Sequence, residues 1–283
     1  MSRSKRNIKV LETIWECPDD LWDNTIQPIL LAEDPPKATG RSRIDQRRAL
    51  DGIIYTGRTG CQWDKLPEQF GDDSSVHRTL QRWVERGVFL RVMAAVIEHC
   101  ADLDGVDWQW QSADGAMGKA RLGGDLVGPN PTDRAKNGTK RSVIVEADGG
   151  PLGCVVAGAN VHDTKLLRET IEAIVVERPD PDEFEQHLCL DKGYDNPTGR
   201  AAVKDAGYVP HIRKIGEEKF DPETAEKKHP ARRFVVERTI SWLNRWRGIL
   251  VRYAKKSKNY LAMIQLAYIL LWYRRSWRLT VLR

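Results

Sequence analysis

The sequence predicts a mixed α/β sheet with helices on its faces, joined to an all-α amino-terminal region. Three observations predict it. Up to about residue 100, apolar residues recur at helical spacing behind capping residues. Between about residues 108 and 160 they alternate with period two, on either side of the turn signal Asp148-Gly149-Gly150-Pro151. Beyond that, helix-like and strand-like segments take turns, the pattern of a sheet with helices packed on it.

Each element can be read in order. Asp19 and Asp20 cap a helix from near Leu21, with Trp22, Ile26, Ile29 and Leu30 on its apolar face. Pro35, Pro36 and Gly40 make residues 34–43 a loop. A second helix from about Asp45 turns Ala49, Leu50, Ile53 and Ile54 inward, and Gly57 and Gly60 end it. After a tight connection, Asp73 or Ser74 caps a third helix, striped by Val76, Leu80, Trp83 and Val84 and stopped by Gly87. W-Q-W-Q-S-A is a strand by its period, and the two runs around the Asp148 turn form a hairpin. A helix at 164–176, a buried strand H-L-C-L, a helix at 197–206 and a strand Y-V-P-H-I-R follow. One helix from Arg232 through about Arg252 and another from Asn259 close the chain, while residues 215–230 read as a charged loop.

The 283 residues suffice for one large domain and one small one. At 41% hydrophobic and 30% charged, the composition suits a soluble globular protein. The net charge of +5 hides an asymmetry: residues 200–283 hold 20 Lys/Arg against 7 Asp/Glu, leaving 25 against 33 before them. A basic end on a mildly acidic body points to a polyanionic partner. Cys17, Cys61, Cys100, Cys154 and Cys189 are far apart and form no C-x-x-C pair. That argues against a disulfide framework or a cysteine zinc site and for reduced thiols in the cytoplasm. M-S-R-S-K-R-N is not followed by the apolar run of a secretory signal, and the apolar stretch 261–273 is short for a bilayer span.

Three acids stand where chemistry could use them. Asp114 follows the first strand in Q-S-A-D-G, Asp191 ends the buried strand L-C-L-D, and Glu237 lies on the late helix. Carboxylates at strand ends project from a rigid scaffold into a cleft. With a glutamate from a helix packed across them, two aspartates can hold two Mg²⁺ ions that clamp a phosphate. On that helix Arg233, Glu237, Ser241, Asn244 and Gly248 fall in one polar stripe. Arg238, Arg245 and Arg252 recur every seven residues along its flank, as a DNA backbone beside a metal site would require. By spacing alone each acid also fits a local role: Asp114 in a turn, Asp191 as a cap, Glu237 as partner of Arg233.

The segments S-A-D-G, G-P-N-P-T-D-R-x-K-x-G-T-K-R-S, G-A-N-x-H-D-x-K-L-L, L-D-K-G-Y-D and V-V-E-R-T-x-S-W-L-N-R-W-R together resemble bacterial insertion-sequence transposases of the insertion sequence five group. The resemblance spans nearly the whole chain. It implies an RNase H-like catalytic domain with a D, D, E triad that is both catalytic and metal-binding, here Asp114, Asp191 and Glu237, with Asp107 or Asp163 the rival for the first position. The cofactor implied is Mg²⁺, two ions, with Mn²⁺ as the alternative. In the relatives' Y-R-E-K pattern Arg233 and Glu237 fit, while Pro230 and Asn244 stand at the tyrosine and lysine positions. Arg247 or Lys255 could take over the lysine's contact. His162 either meets DNA or the metals, or caps the following helix with Asp163.

Residues 1–100 are expected to be a helix-turn-helix-like DNA-binding domain, and residues 101–283 the RNase H-like catalytic domain with basic carboxy-terminal helices. On the helix after Ser74, the residues Ser75, His77, Arg78, Gln81 and Arg82 can read bases and phosphates. Arg233, Arg238, Arg245, Arg247, Arg252 and Lys255 complete the expected DNA surface. The expected reaction is hydrolysis at an element end, followed by attack of the freed 3′-hydroxyl on target DNA, by a homodimer or larger assembly on terminal inverted repeats. A structure-specific nuclease, and a helix-turn-helix repressor with an inactive core, are the alternatives.

Overall fold

The computed structural model describes residues 13–212 and 233–282, so the charged loop expected at 215–230 lies outside the described residues. The amino-terminal part is helical. A short helix α1 (Asp19–Leu21), a π-helical turn (Trp22–Ile26) and α2 (Gln27–Glu33) form one continuous run. Helix α3 (Gln46–Thr59) starts where the Asp45 side chain accepts from the Arg48 N–H. It ends at Gly60, whose left-handed φ of +66° suits glycine. Gly57, expected as a terminator, lies inside α3. A Cβ there would stand 2.4 Å from Met263 Sδ and 2.7 Å from the Trp246 ring, so glycine serves packing instead. Helix α4 (Asp73–Glu85) is capped by Asp72, and α5 (Val88–Asp102) resumes directly after Gly87.

The expected polar loop at 34–43 begins with a fully buried carboxylate. Asp34 accepts from Arg43 Nη1 (2.6 Å), Arg82 Nε (2.8 Å) and Trp83 Nε1 (3.0 Å), and Arg86 lies at 3.3 Å. Burial works against its charge, but these donors outweigh it and hold the carboxyl below its ordinary range. A lowered native pKa makes this contribution full above the unfolded carboxylate value, near pH 4, and removes it as pH falls toward the native value. Asp34→Asn is therefore expected to cost about 1–3 kcal/mol at pH 7. In urea titrations the gap from wild type should narrow below about pH 4. A gap independent of pH would remove the charge from the explanation.

The sheet follows. Strands β1 (Trp110–Lys119), β2 (Gly128–Pro129), β3 (Asn137–Glu146) and β4 (Pro151–Gly158) precede α6 (Asp163–Glu172). Then come β5 (Gln186–Leu190), α7 (Pro197–Asp205) and β6 (Tyr208–Ile212). β1 and β3 pair antiparallel, as do β3 and β4, while β1, β5 and β6 are parallel neighbours. The long strands thus lie in the order β4-β3-β1-β5-β6, with the short β2 on the end of β3. Two hairpins made first and two crossovers added on the other side give the mixed, RNase H-like sheet that the resemblance implied.

Opposite faces of β3 bind different helices. Ser142 accepts from Thr170 on α6 at 2.7 Å, and the neighbouring Arg141 donates to Asn244 at 2.9 Å, just beyond α8 (Phe234–Leu243). The last helix, α10 (Ser257–Leu282), packs along both α5 and β4. Trp272 is fully buried and donates to the Pro151 carbonyl at 2.7 Å, so it belongs to the core. One apolar cluster runs from Leu30 and Ile53 through Val143 to Tyr268. Among the described residues, no helix is long and apolar enough to cross a membrane.

Candidate active site

β1 is longer than its apolar pattern suggests. Its pairing with β3 runs from Gln111↔Glu146 to Lys119↔Gly138, which places Asp114 in the middle of the strand and not after it. Gly115 and Gly118 hide this in the sequence, because glycine weakens a strand pattern. Gly115 has a local reason: a Cβ there would stand 2.0 Å from Asp163 Oδ1. The parallel register of β1 and β5 matches Ser112 with Cys189. Two residues further on each chain stand Asp114 and Asp191, so both aspartates lie level on neighbouring strands and on one face. Asp191 directly follows β5 and accepts from the Lys192 N–H at 2.6 Å.

Glu237 sits in the first turn of α8, which packs across β1 and β3. Arg233 joins it to the aspartates. Its Nη1 is 3.0 Å from Asp191 Oδ1, and its Nε and Nη2 are 2.9 and 2.6 Å from Glu237 Oε1. The half-buried Asp114 feels the same guanidinium. Burial pushes its carboxyl up, the Gly115 N–H and Arg233 pull it down, and Asp163 and Asp191 push it up again. Two further groups stand beside them, Asp163, weighed in the sequence as a rival first acid, and Tyr194, which the sequence reading missed. Asp163, at the start of α6, is paired with the buried Lys140 at 3.0 Å. The Tyr194 hydroxyl is buried with no hydrogen-bond partner among the described residues, and burial together with Asp163, Asp114 and Asp191 pushes its pKa upward. The motifs H-D and K-G-Y-D contained both. His162 caps α6, its Nδ1 accepting from the Thr164 N–H at 3.4 Å, as one of its two expected roles required. Asp107 is exposed ahead of β1, roughly 23 Å of extended strand from Asp114.

Among the described residues, no three His, Cys, Asp or Glu side chains are gathered closely enough to hold an ion as they stand. Arg233 occupies the space between Asp191 and Glu237. The donor set nevertheless fits a hard divalent cation. Its atoms are carboxylate oxygens, and a positive charge already neutralises them at their meeting point.

The expected DNA surfaces need correction. The helix drawn through Arg252 breaks at residues 244–246 and resumes as α9 (Arg247–Leu250). Trp246 turns into the core there, with the Arg58 guanidinium 4.7 Å from its ring. Gly248 lies so close to α3 that a Cβ would stand 3.0 Å from the Gly57 carbonyl. The seven-residue arginine row therefore does not exist. Arg252 is buried and cannot meet a phosphate. Arg238 is exposed but donates to the Asp148 carbonyl at 2.6 Å and lies over Trp242. Arg245, Arg247 and Lys255 are exposed. On α4, Arg82 is committed to Asp34 and His77 stacks on Trp63 at 4.8 Å, so neither is presented as expected. Arg78 is exposed, while Ser75 and Gln81 are half-buried. α3 and α4 are joined by residues 60–72, with two 3₁₀ turns, far longer than the three or four residues of a helix-turn-helix.

Residues 98–272 match the family model described as a transposase DDE domain. The chain belongs to that family. Residues 18–93 match a second model, putative transposase of IS4/5 family. The putative transposase for insertion sequence element IS402 of Burkholderia cepacia is 34% identical over 149 residues, 52% of this chain and 68% of that protein. The uncharacterized protein y4sN of Sinorhizobium fredii is 42% identical over 62 residues, 22% of this chain and 49% of that one. A solved structure, the Mos1 mariner paired end complex with Mn, covers 86% of this chain and 81% of its own. It does so at 11% identity and a TM-score of 0.27, a likeness that carries no argument. The chain is a DDE transposase, an enzyme of a divalent-metal-dependent family acting on DNA, and neither a repressor nor a separate nuclease is favoured.

Proposed function

We propose that Asp114, Asp191 and Glu237 are the catalytic triad of this transposase and hold two Mg²⁺ ions, with Mn²⁺ able to replace them. The observation that carries the assignment is that the Arg233 guanidinium pairs with both Asp191 and Glu237, while Asp114 stands level with Asp191 on the neighbouring strand and feels the same charge. When bound, the ions supply charge stabilisation for the attacking and leaving oxygens of a phosphodiester. The chain's own residues do the rest. β1 and β5 fix the two aspartates at one level, and α8 brings Glu237 across them. Arg233 offsets their mutual repulsion and lies where a DNA phosphate at the acids would meet it. The carboxylates are ligands, and none is assigned as general base.

Residues 1–100 serve as a helical DNA-binding part, and residues 101–283 as the catalytic part with its basic end. Arg78, with Ser75 and Gln81 beside it, is the face of α4 that meets DNA. Arg245, Arg247 and Lys255 are phosphate contacts on the basic carboxy-terminal part. The partners are terminal inverted repeats and target DNA. Because two ends must be cut and joined while each chain has one triad, the active form is at least a dimer. The test mixes protein, paired end duplexes and Mg²⁺. Strand-transfer products that vanish on chelation are expected, with sedimentation showing at least two protomers per two ends. Cutting without joining would reduce the protein to a nuclease. Full joining by one protomer would remove the dimer.

A further inference from the structure

Basic charge outside the acid site gathers in one place. β1 ends at Lys119, and the chain leaves through residues 120–136 before returning as β3. This excursion lies against residues 253–258. Between β1's end and the excursion opens a cleft of about 560 Å³ lined by Lys119, Arg121, Lys136 and Asn137, with Asp133 and Ala135. Lys119 is paired with Asp133 at 3.6 Å. Arg121, Arg134 and Lys136 are exposed and form no ion pair among the described residues. Exposed Lys255, Lys256 and Lys258 extend the patch, and after burial it is the charge of Lys256 that pushes the His77 imidazole on α4 downward.

This surface is built rather than draped. Arg252 donates to the carbonyls of Asp125 (2.7 Å), Leu126 (3.2 Å) and Lys255 (2.9 Å), tying the excursion to the segment before α10. Asp125 accepts from the Ser257 N–H at 2.6 Å and the Ser257 hydroxyl at 2.7 Å, fixing the start of α10. Gly124, at φ +123°, permits the close approach, since a Cβ there would stand 2.2 Å from the Lys255 carbonyl. The charges are therefore held on a rigid frame at a set place. Lys119 is five residues along β1 from Asp114, roughly 17 Å, about five base-pair steps of duplex.

We propose that this cleft and its lysine rim bind the backbone of target DNA as it passes the acids. The inference rests on the transposase reading above. Cations that face phosphates bind duplex without regard to sequence, and Asn137 is the one amide lining the cleft. A target differs at each event, so a surface that reads charge suits it. An element end is one fixed sequence and needs base contacts.

The test uses the full chain with Arg121→Gln, Arg134→Gln and Lys136→Gln combined. Affinity for random-sequence duplex is measured against salt, where the slope of log K should become shallower by roughly 2–3. Cleavage of an end duplex should stay within about twofold, while transfer of pre-cut ends into a plasmid should fall about tenfold or more. An unchanged salt slope overturns the proposal. So does cleavage falling in step with transfer, which would give the cleft to the element end. If the wild type neither cuts nor joins, the transposase reading fails, and the salt slope still decides whether the cleft holds duplex.

Discussion

Asp191→Asn is expected to reduce end cleavage by on the order of 10³-fold or more while leaving duplex binding intact. The substitution keeps the shape of the side chain and its bond to the Lys192 N–H, so β5 and the turn behind it should persist. What is lost is one of the charges that would hold the ions in the proposed triad. Because a negative charge is removed near the expected DNA path, affinity for duplex should stay the same or rise slightly. That sign separates a metal ligand from a DNA contact, whose loss weakens binding. Asp114→Asn and Glu237→Gln should behave alike. The sharp comparison is with Asp163→Asn, since Asp163 lies against Gly115 and its charge reaches Asp114. If Asp163→Asn stops cleavage and Asp114→Asn does not, the first acid has been misassigned. Wild-type rates from Asp191→Asn would end the triad reading altogether.

How far the sequence reaches is visible in particular elements. The hairpin of β3 and β4 is legible because its turn is spelled out in Asp148-Gly149-Gly150-Pro151, and β5 because its whole length is buried. Those are local signals. Asp191 and Glu237 could be singled out as candidates because a strand end and a helix turn mark them. Asp114 was singled out but placed after its strand, since pairing with β3 holds β1 in shape through glycines that no strand pattern would accept. What failed was long-range. Arg82 looks free on its helix, yet its partner Asp34 lies 48 residues away and is hidden in a stretch read as a polar loop. The arginine row at 238, 245 and 252 assumed an unbroken helix, and the contact of Gly248 with Gly57 breaks that assumption from outside the segment. Tyr194 joins the acids only through the fold of the sheet, so its sequence motif carried no sign of it.

Arg252→Ala is expected to cost about 2–3 kcal/mol of stability, as loss of a buried hydrogen-bond network does, with less from the ion pair because Asp125 is half exposed. The side chain is fully buried. Besides three carbonyls on the excursion and on Lys255, it donates to Ala254 O (2.8 Å), Thr139 Oγ1 (3.2 Å) and Asp125 Oδ1 (2.9 Å). Its guanidinium also lies 5.4 Å from the centre of the Tyr260 ring. Truncation removes a donor from each of these acceptors; Asp125 Oδ1 keeps the Ser257 N–H and the Lys255 carbonyl keeps the Asp125 N–H, so the full cost of about 1–3 kcal/mol falls only on those left without a partner. Arg252→Lys keeps the charge but offers one point in place of a planar fork, so a smaller loss is expected. Urea denaturation measures both. The same variants answer whether Arg252 touches DNA. A phosphate contact would give weaker duplex binding with unchanged stability. A clamp gives lost stability, with DNA affinity falling only as far as the cleft it holds together loosens. Arg252→Ala with stability within about 0.5 kcal/mol of wild type would show that the excursion is held by something else.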